Sequence, residues 1–220
     1  MRLTACLMLA FAFALASPGV RAGPAEDYAA GDAAYRRGDV RSAIASLRKA
    51  ADAGHARAQT LLGSILDAAE QDEEAVKYLT LAAGQGDAEA TYLLAGLVAA
   101  GEGTAKDPAR GFALLQKAAS LGKREALFAL ASAYLSGGFG LSESDRASAA
   151  ALERIREAAD AGHLPSIDRL AVAYRKGDFG LSPDAKRAEE FEAKARAIRG
   201  VAEKTPARTR RASPPRVPGG

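Results

Sequence analysis

Apolar and polar residues follow a helical period along this chain, and the period restarts several times. Four glycines mark the restarts: Gly54, Gly86, Gly122 and Gly162. A leucine lies eight residues after each of them, a small residue nine after, and two alanines three and four before. Apolar residues three and four apart share one face of a helix. A pattern that returns in register at four glycines predicts a repeated helical unit.

Each unit is predicted to contain a helix A directly after the glycine, a turn, and a helix B that ends at the next glycine. Glycine suits this joint because it adopts the left-handed conformation that other residues resist. The spacing between the glycines grows from 32 to 36 to 40 residues, mostly within GEGTAKDPAR and GGFGLSESDRASAA. Insertions confined to turns are typical of solenoids. The sequence therefore predicts an all-α solenoid of about five antiparallel helix pairs.

Three stretches resemble the Sel1-like repeat (SLR) family, which is related to the tetratricopeptide repeat: QTLLGSIL, TYLLAGLVAAGEGTAKDPARGFALLQKAASLG and LFALASAYLSGGFG. The resemblance covers about residues 39–200. It implies a right-handed superhelix that acts as an adaptor for proteins or peptides, often in the bacterial envelope. Residues 23–38 keep Tyr35 and Gly38 without the leucine, which predicts an N-terminal capping helix. Family activities that depend on paired cysteines are not implied, because the repeats contain no cysteine.

The first 22 residues are predicted to be a signal peptide. Arg2 precedes an apolar run from Leu3 to Ala16, and small residues end at Ala22. The run is shorter than the roughly 20 residues that a membrane-spanning helix needs. Cleavage after Ala22 would remove Cys6, the only cysteine. We therefore expect a periplasmic or secreted protein without disulfides and without a transmembrane segment after cleavage.

The last 20 residues differ in composition from the repeats. Residues 201–220 are rich in proline and arginine and lack apolar periodicity, which predicts a disordered basic tail. Such a tail could make a weak contact with an anionic surface, or it could be a solvated extension. The repeats themselves are mildly acidic and lack the basic surface typical of a nucleic-acid-binding protein.

Two identical hexapeptides, AADAGH, contain the only two histidines, His55 and His163. The equivalent positions in the other units hold Asp87 and Lys123, so we interpret AADAGH as a joint between repeats rather than as half of a catalytic or metal site. The segment GGFGLS lacks the Gly-Lys-Ser/Thr ending of a phosphate-binding loop. The sequence therefore indicates no enzyme, no cofactor and no metal site.

The partner-binding surface is predicted to be the inner wall of the solenoid. Helix A positions 6, 10 and 13 residues after each glycine fall outside the core stripe. An aromatic centre with charged ends suits an extended peptide or an amphipathic helix. In the alternative interpretation, the aromatic side chains fill gaps between repeats. The candidate binding residues are Tyr92, Phe128, Asp67, Ser132, Asp168 and Arg175.

The predicted function is that of an exported, non-enzymatic scaffold that binds a protein or peptide in its concave groove. A component of envelope polysaccharide export or cell-wall assembly is an alternative. A hydrolase that uses groove carboxylates is a third hypothesis. It is the least favoured, because no histidine, cysteine or apolar pocket is predicted beside the carboxylates to adjust their pKa.

Overall fold

A computed structural model describes residues 23–204, with side chains described through Gly200. Within this range all regular elements are helical, which confirms the predicted all-α class. The predicted signal peptide and residues 205–220 of the predicted tail lie outside the described residues. The helices are α1 Pro24–Arg36, α2 Val40–Asp52, α3 Ala56–Ala68, α4 Asp72–Gly84, α5 Ala88–Ala100, α6 Pro108–Ser120, α7 Arg124–Ser136, α8 Glu143–Arg146, α9 Ala149–Asp160, α10 Leu164–Lys176 and α11 Ala185–Lys204.

Ten of the helices form five pairs, so the predicted solenoid of about five helix pairs is confirmed. The pairs are α1/α2, α3/α4, α5/α6, α7/α9 and α10/α11; the first member is helix A and the second is helix B. Backbones of successive helices A approach each other closely between α1 and α3, between α3 and α5, and between α7 and α10, and less between α5 and α7. Successive helices B do so less. In a curved stack the closer helices lie on the inside, so helices A line the concave wall.

The hexapeptide AADAGH is a joint, as expected. In its first copy the backbone N–H of Gly54 donates to the carbonyl of Ala51 and that of His55 donates to the carbonyl of Ala50, both at 3.0 Å. This is the Schellman arrangement, which requires a left-handed residue. Gly54 supplies it with φ +88°, and the other three joint glycines have φ between +85° and +93°. His55 then caps α3, because its Nδ1 accepts the N–H of Ala58.

The core follows the two predicted sequence positions after each joint. The leucines eight residues on are Leu62, Leu94, Leu130 and Leu170, each at most 2% exposed. The small residues nine residues on are also buried, and Gly63 shows why they are small. A Cβ atom there would lie 2.7 Å from Cγ of Leu79 on the paired helix α4. The close approach is therefore between helix A and its own helix B.

Two segments differ from the predicted turns and boundaries. The insertion GGFGLSESDRASAA contains a 3₁₀ turn at Gly138–Gly140 and the short helix α8. The short helix begins with a capping box, in which the side chains of Ser142 and Asp145 bind each other's backbone N–H. The last helix, α11, runs to Lys204, four residues past the predicted end of the solenoid. Between residues 23 and 204, no helix combines the length and the apolar composition that crossing a membrane requires.

Candidate binding groove

A cavity of about 320 Å³ opens on the concave side, between three successive helices A. Asp67 of α3, Tyr92 of α5 and Ala129 of α7 line it, together with Glu102 and Phe139 from the two longer turns. The predicted binding residues Asp67 and Tyr92, which lie in adjacent repeats, are therefore brought to one site. Phe128 and Ser132 lie beside it on α7 but do not line the cavity.

The two charged residues that line this cavity, Asp67 and Glu102, are both acidic. Neither forms an ion pair with any residue whose side chain the structure describes. Burial raises the pKa of Asp67, and the nearby negative charges of Asp72 and Glu102 raise it further. Both effects disfavour the ionised carboxylate in the folded protein. The cavity thus has a negative potential that a bound cation would relieve.

Replacing Asp67 with asparagine should raise the midpoint of thermal unfolding at pH 7. A raised pKa in the folded state means that the ionised carboxylate destabilises the fold, and this cost develops as the pH rises through the unfolded-state pKa. Asparagine removes it. At about pH 3, where the carboxyl is largely protonated in both states, wild type and Asp67→Asn should unfold at similar temperatures. A lower midpoint for the variant at pH 7 would contradict this account of the site.

The joint residues contact aromatic side chains of the preceding helix A, a pairing that sequence reasoning missed. His55 stacks on Tyr28 with ring centroids 4.7 Å apart, and His163 stacks on Phe128 at 4.9 Å. At one of the two joints between them, the ammonium of Lys123 lies 5.8 Å from the ring centroid of Tyr92. The joint position therefore pairs with the sixth residue of the previous unit. The sequence did contain a signal for this pairing: where the sixth residue of a unit is aromatic, the joint residue that follows that unit is histidine or lysine.

His163 is fixed on three sides. Its ring stacks on Phe128, its Nδ1 lies 2.8 Å from Oγ of Ser166, and its Nε2 lies 3.4 Å from Oγ of Ser132. Burial lowers the pKa of His163, so the neutral ring is favoured. Both nitrogens thus face hydroxyl groups, and the contact with the predicted groove residue Ser132 joins neighbouring repeats.

The positive charge of Lys123 is compensated by two neighbouring glutamates. Its ammonium forms ion pairs with Glu89 of the preceding helix A and, at 3.0 Å, with Glu125. The lysine therefore places little net positive charge on the ring face of Tyr92, and the acidic character of the adjoining cavity remains.

The two remaining predicted groove residues, Asp168 and Arg175, lie on α10 at the C-terminal end of the array. Asp168 binds Arg199 of α11 through contacts of 2.6 and 2.8 Å, and Arg175 binds Glu192 of α11 at 2.6 Å. Both pairs are about half exposed, where an ion pair contributes about 0–1 kcal/mol. The structure thus places these charges in the repeat that follows α7, outside the cavity lining, and gives each a partner.

A second cavity, of about 300 Å³, lies between the last two repeats. The guanidinium of Arg169 is at its wall, 4.8 Å from the ring centroid of Phe179 and 2.7 Å from a carboxylate oxygen of Asp178. Phe179 lies two residues after the left-handed Gly177 and itself has φ 58°, and Phe139 has φ 59° in the equivalent turn. The two repeated FGLS segments therefore present a phenylalanine to each cavity in the same backbone conformation.

No metal centre is evident in the part of the chain that the structure describes. There, no group of three histidine, cysteine, aspartate or glutamate side chains is close enough to hold an ion. The two histidines occupy separate joints and stack on separate rings.

Comparisons with known proteins agree with this architecture. A solved structure of c5321, a protective antigen of uropathogenic Escherichia coli that displays an SLR fold, is 23% identical with a TM-score of 0.67; the match covers 79% of this chain and 38% of that protein. This chain thus spans well under half of c5321. A Sel1 repeat protein from Oxalobacter formigenes is 26% identical with a TM-score of 0.60, covering 79% of this chain and 73% of that one.

A third solved structure, of MamA, is 21% identical with a TM-score of 0.54 and shares the fold over 80% of this chain and 97% of that one. A comparison with curated proteins finds no match. The Sel1 repeat itself matches five consecutive segments, residues 28–55, 56–87, 88–123, 124–163 and 165–195. The internal boundaries at 55/56, 87/88 and 123/124 fall where each helix A begins. The chain belongs to the Sel1 repeat family.

Proposed function

We propose that this chain is an exported, non-enzymatic scaffold that binds a protein or peptide in the groove formed by its helices A. One observation carries the proposal: the cavity of about 320 Å³ is built jointly by helices A of three successive repeats. Concave surfaces assembled across repeats are the usual recognition surfaces of solenoids. Sel1 repeats form helical scaffolds that commonly mediate protein–protein interaction, which agrees with this assignment.

The absence of catalytic function is proposed although Asp67 and Glu102 share a largely apolar cavity and the pKa of Asp67 is raised, because none of the described histidine, cysteine or serine residues lines that cavity to act with them. The carboxylate of Glu74 on helix B α4 is bound to Arg48 of the preceding helix B through two contacts. His163 faces two hydroxyl groups within a packed joint instead of an open pocket. A general base must reach the proton that it removes from a substrate, and His163 is engaged within the fold.

The groove is tested by two matched glycine substitutions. Gly96 on α5 lines the cavity, Gly84 lies on helix B α4, and both are exposed with no atom near the site of an added Cβ. Gly96→Gln should weaken binding of a partner captured from an envelope extract at least fivefold, because its side chain fills the groove. Gly84→Gln should leave the affinity unchanged, and both variants should melt at or above the wild-type temperature. Equal affinities for the two variants would place the binding surface elsewhere.

Export is tested separately, at the N-terminus of the protein made in its source cells. We expect the mature chain to begin at Gly23, since Arg2, the apolar run and Ala22 form the pattern of a cleaved signal peptide. Mass spectrometry of the intact protein measures this directly. Recovery from the cytosol of a chain that still carries Met1 would contradict export.

A further inference from the structure

The cavity lined by Asp67 and Glu102, which we call the acidic cavity, has a counterpart within the same molecule. In repeats four and five, equivalent positions can be counted from the joint glycines Gly122 and Gly162. Ala129 and Arg169 both lie seven residues after their glycine, and Phe139 and Phe179 both lie seventeen after. The acidic cavity contains Ala129 and Phe139, and the second cavity contains Arg169 and Phe179. The two cavities therefore share two equivalent positions, one on helix A and one in the turn that follows it, and differ in the rest of their linings.

In the second cavity, the chain's own guanidinium, that of Arg169, forms part of the wall. Arg169 lies over the ring of Phe179 and is bound to Asp178, an arrangement of cation, aromatic ring and carboxylate. Arginine is suited to it because its planar guanidinium can stack on a ring while its N–H groups donate to a carboxylate. The preceding repeat lacks this ion pair. Ala129 stands there in place of Arg169, and Gly138 in place of Asp178.

The acidic cavity supplies the other partners of a guanidinium. Its aromatic residues are Tyr92 and Phe139, and its carboxylates are Asp67 and Glu102. Among the described side chains no cation lies over the ring of Phe139, and the lysine over Tyr92 is bound to two glutamates. Aromatic rings, carboxylates without an ion-pair partner among the described side chains, and a volume of about 320 Å³ are thus present together.

We propose that the acidic cavity binds an arginine side chain of a partner protein, which takes the place that Arg169 occupies in the next repeat. The proposal rests on the groove function above and names the chemistry of its partner: a basic segment whose arginine enters between Tyr92 and Phe139 and binds Asp67 and Glu102. Apolar residues beside that arginine would contact Leu93 and Leu97, which also line the cavity.

The probe for this proposal is Nα-acetyl-arginine amide, titrated into the full ¹⁵N-labelled chain and followed by backbone amide shifts. We expect saturable shifts at Tyr92, Gly96 and Phe139. The matched control is Nα-acetyl-citrulline amide, which has nearly the same shape without the charge and should cause no saturable shift. Equal binding of the two amides would overturn the proposal, because the carboxylates would then play no part.

Two variants separate loss of the site from loss of the fold. Asp67→Asn combined with Glu102→Gln removes both charges and relieves their repulsion, so it should fold and bind the arginine amide at least tenfold more weakly. Ala129→Arg combined with Gly138→Asp rebuilds the internal pair of the next repeat and should abolish binding. Gly138 does not have a positive φ, and an added Cβ there would make only ordinary contacts of 3.5 Å or more. Gln116→Arg, on the exposed surface of α6, adds the same charge elsewhere and should bind as wild type does.

Undiminished binding by the neutralised variant, with its melting temperature retained, would overturn the proposal. Tighter binding of the amide after deletion of residues 205–220, which contain Arg208, Arg210, Arg211 and Arg216, would overturn the assignment to a partner and indicate that this chain's own arginines occupy the cavity. Failure of the amide to bind, while Gly96→Gln still blocks a captured partner, would remove this inference and leave the groove function intact. If the amide binds but Gly96→Gln has no effect on the captured partner, the arginine site would stand and the proposed groove function would fail.

Discussion

Replacing Leu94 with alanine is expected to lower the free energy of unfolding by about 2–5 kcal/mol. Leu94 is 2% exposed and lies on the inner stripe of α5, in the middle of the array. The paired helix α6 and the adjacent helices hold the surrounding backbone in place, so the cavity left by the removed atoms can collapse only partly. Urea denaturation monitored by circular dichroism measures the loss.

The control for this prediction is Leu81→Ala, which removes the same atoms from a leucine that is 46% exposed. It should change the stability by no more than about 0.5 kcal/mol. A third variant, Ala131→Leu, adds atoms at a fully buried position and should cost about 1–3 kcal/mol through overpacking. Similar denaturation curves for Leu94→Ala and Leu81→Ala would mean that the repeat register is wrong.

The register could be predicted because a solenoid applies the same physical constraint several times. Every joint needs a left-handed residue, every helix A needs a leucine that faces its pair, and every close approach needs a small residue. Gly54, Leu62 and Gly63 satisfy these needs in one unit, and their counterparts recur in the next three units. One copy alone would be a weak signal. Agreement among four copies made the fold predictable from a single sequence.

The contacts between repeats could not be predicted in the same way, because the interacting residues vary. His55 and His163 occupy a position that also tolerates aspartate and lysine, so a repeat-by-repeat comparison treats it as a variable polar site. What matters there is the pair formed with a residue 27 to 35 positions earlier, as in Tyr28–His55, Phe128–His163 and Tyr92–Lys123. This separation changes with the length of the turn. To find these contacts, one must first establish the repeat register and then compare each joint residue with the sixth residue of the preceding unit.

The acidic cavity was only partly foreseen, because part of its wall comes from turns. Asp67 and Tyr92 were identified from their places on helix A, whereas Glu102 and Phe139 belong to insertions that the sequence indicated only as longer connections. The left-handed conformation of Phe139, rare for a bulky residue, turns its ring into the cavity wall. A repeated FGLS segment was visible in the sequence, but its conformation was not.

Replacing Tyr92 with alanine should weaken partner binding by about 2 kcal/mol or more, roughly thirtyfold. Its ring lines the acidic cavity near the middle of the array, and aromatic residues at the centre of an interface usually contribute most of the binding energy. The melting temperature should change little, because Lys123, which lies over the ring, stays bound to Glu89 and Glu125 when the ring is removed. Calorimetric titration of the captured partner measures the affinity.

Phe128→Ala is the companion variant, and it tests the alternative that the aromatic residues only fill gaps. Phe128 stacks on His163 as Tyr28 stacks on His55, with nearly equal ring distances, but Tyr28 lies on the first helix, two repeats before Tyr92. Tyr28→Ala is therefore a matched control for the loss of a stacked joint. If Phe128 binds the partner, Phe128→Ala should lower the affinity by a similar thirtyfold, whereas Tyr28→Ala should lower only the stability. If both variants lose stability and neither loses affinity, Phe128 is a packing residue and the partner contacts the groove through Tyr92 and the acidic cavity alone.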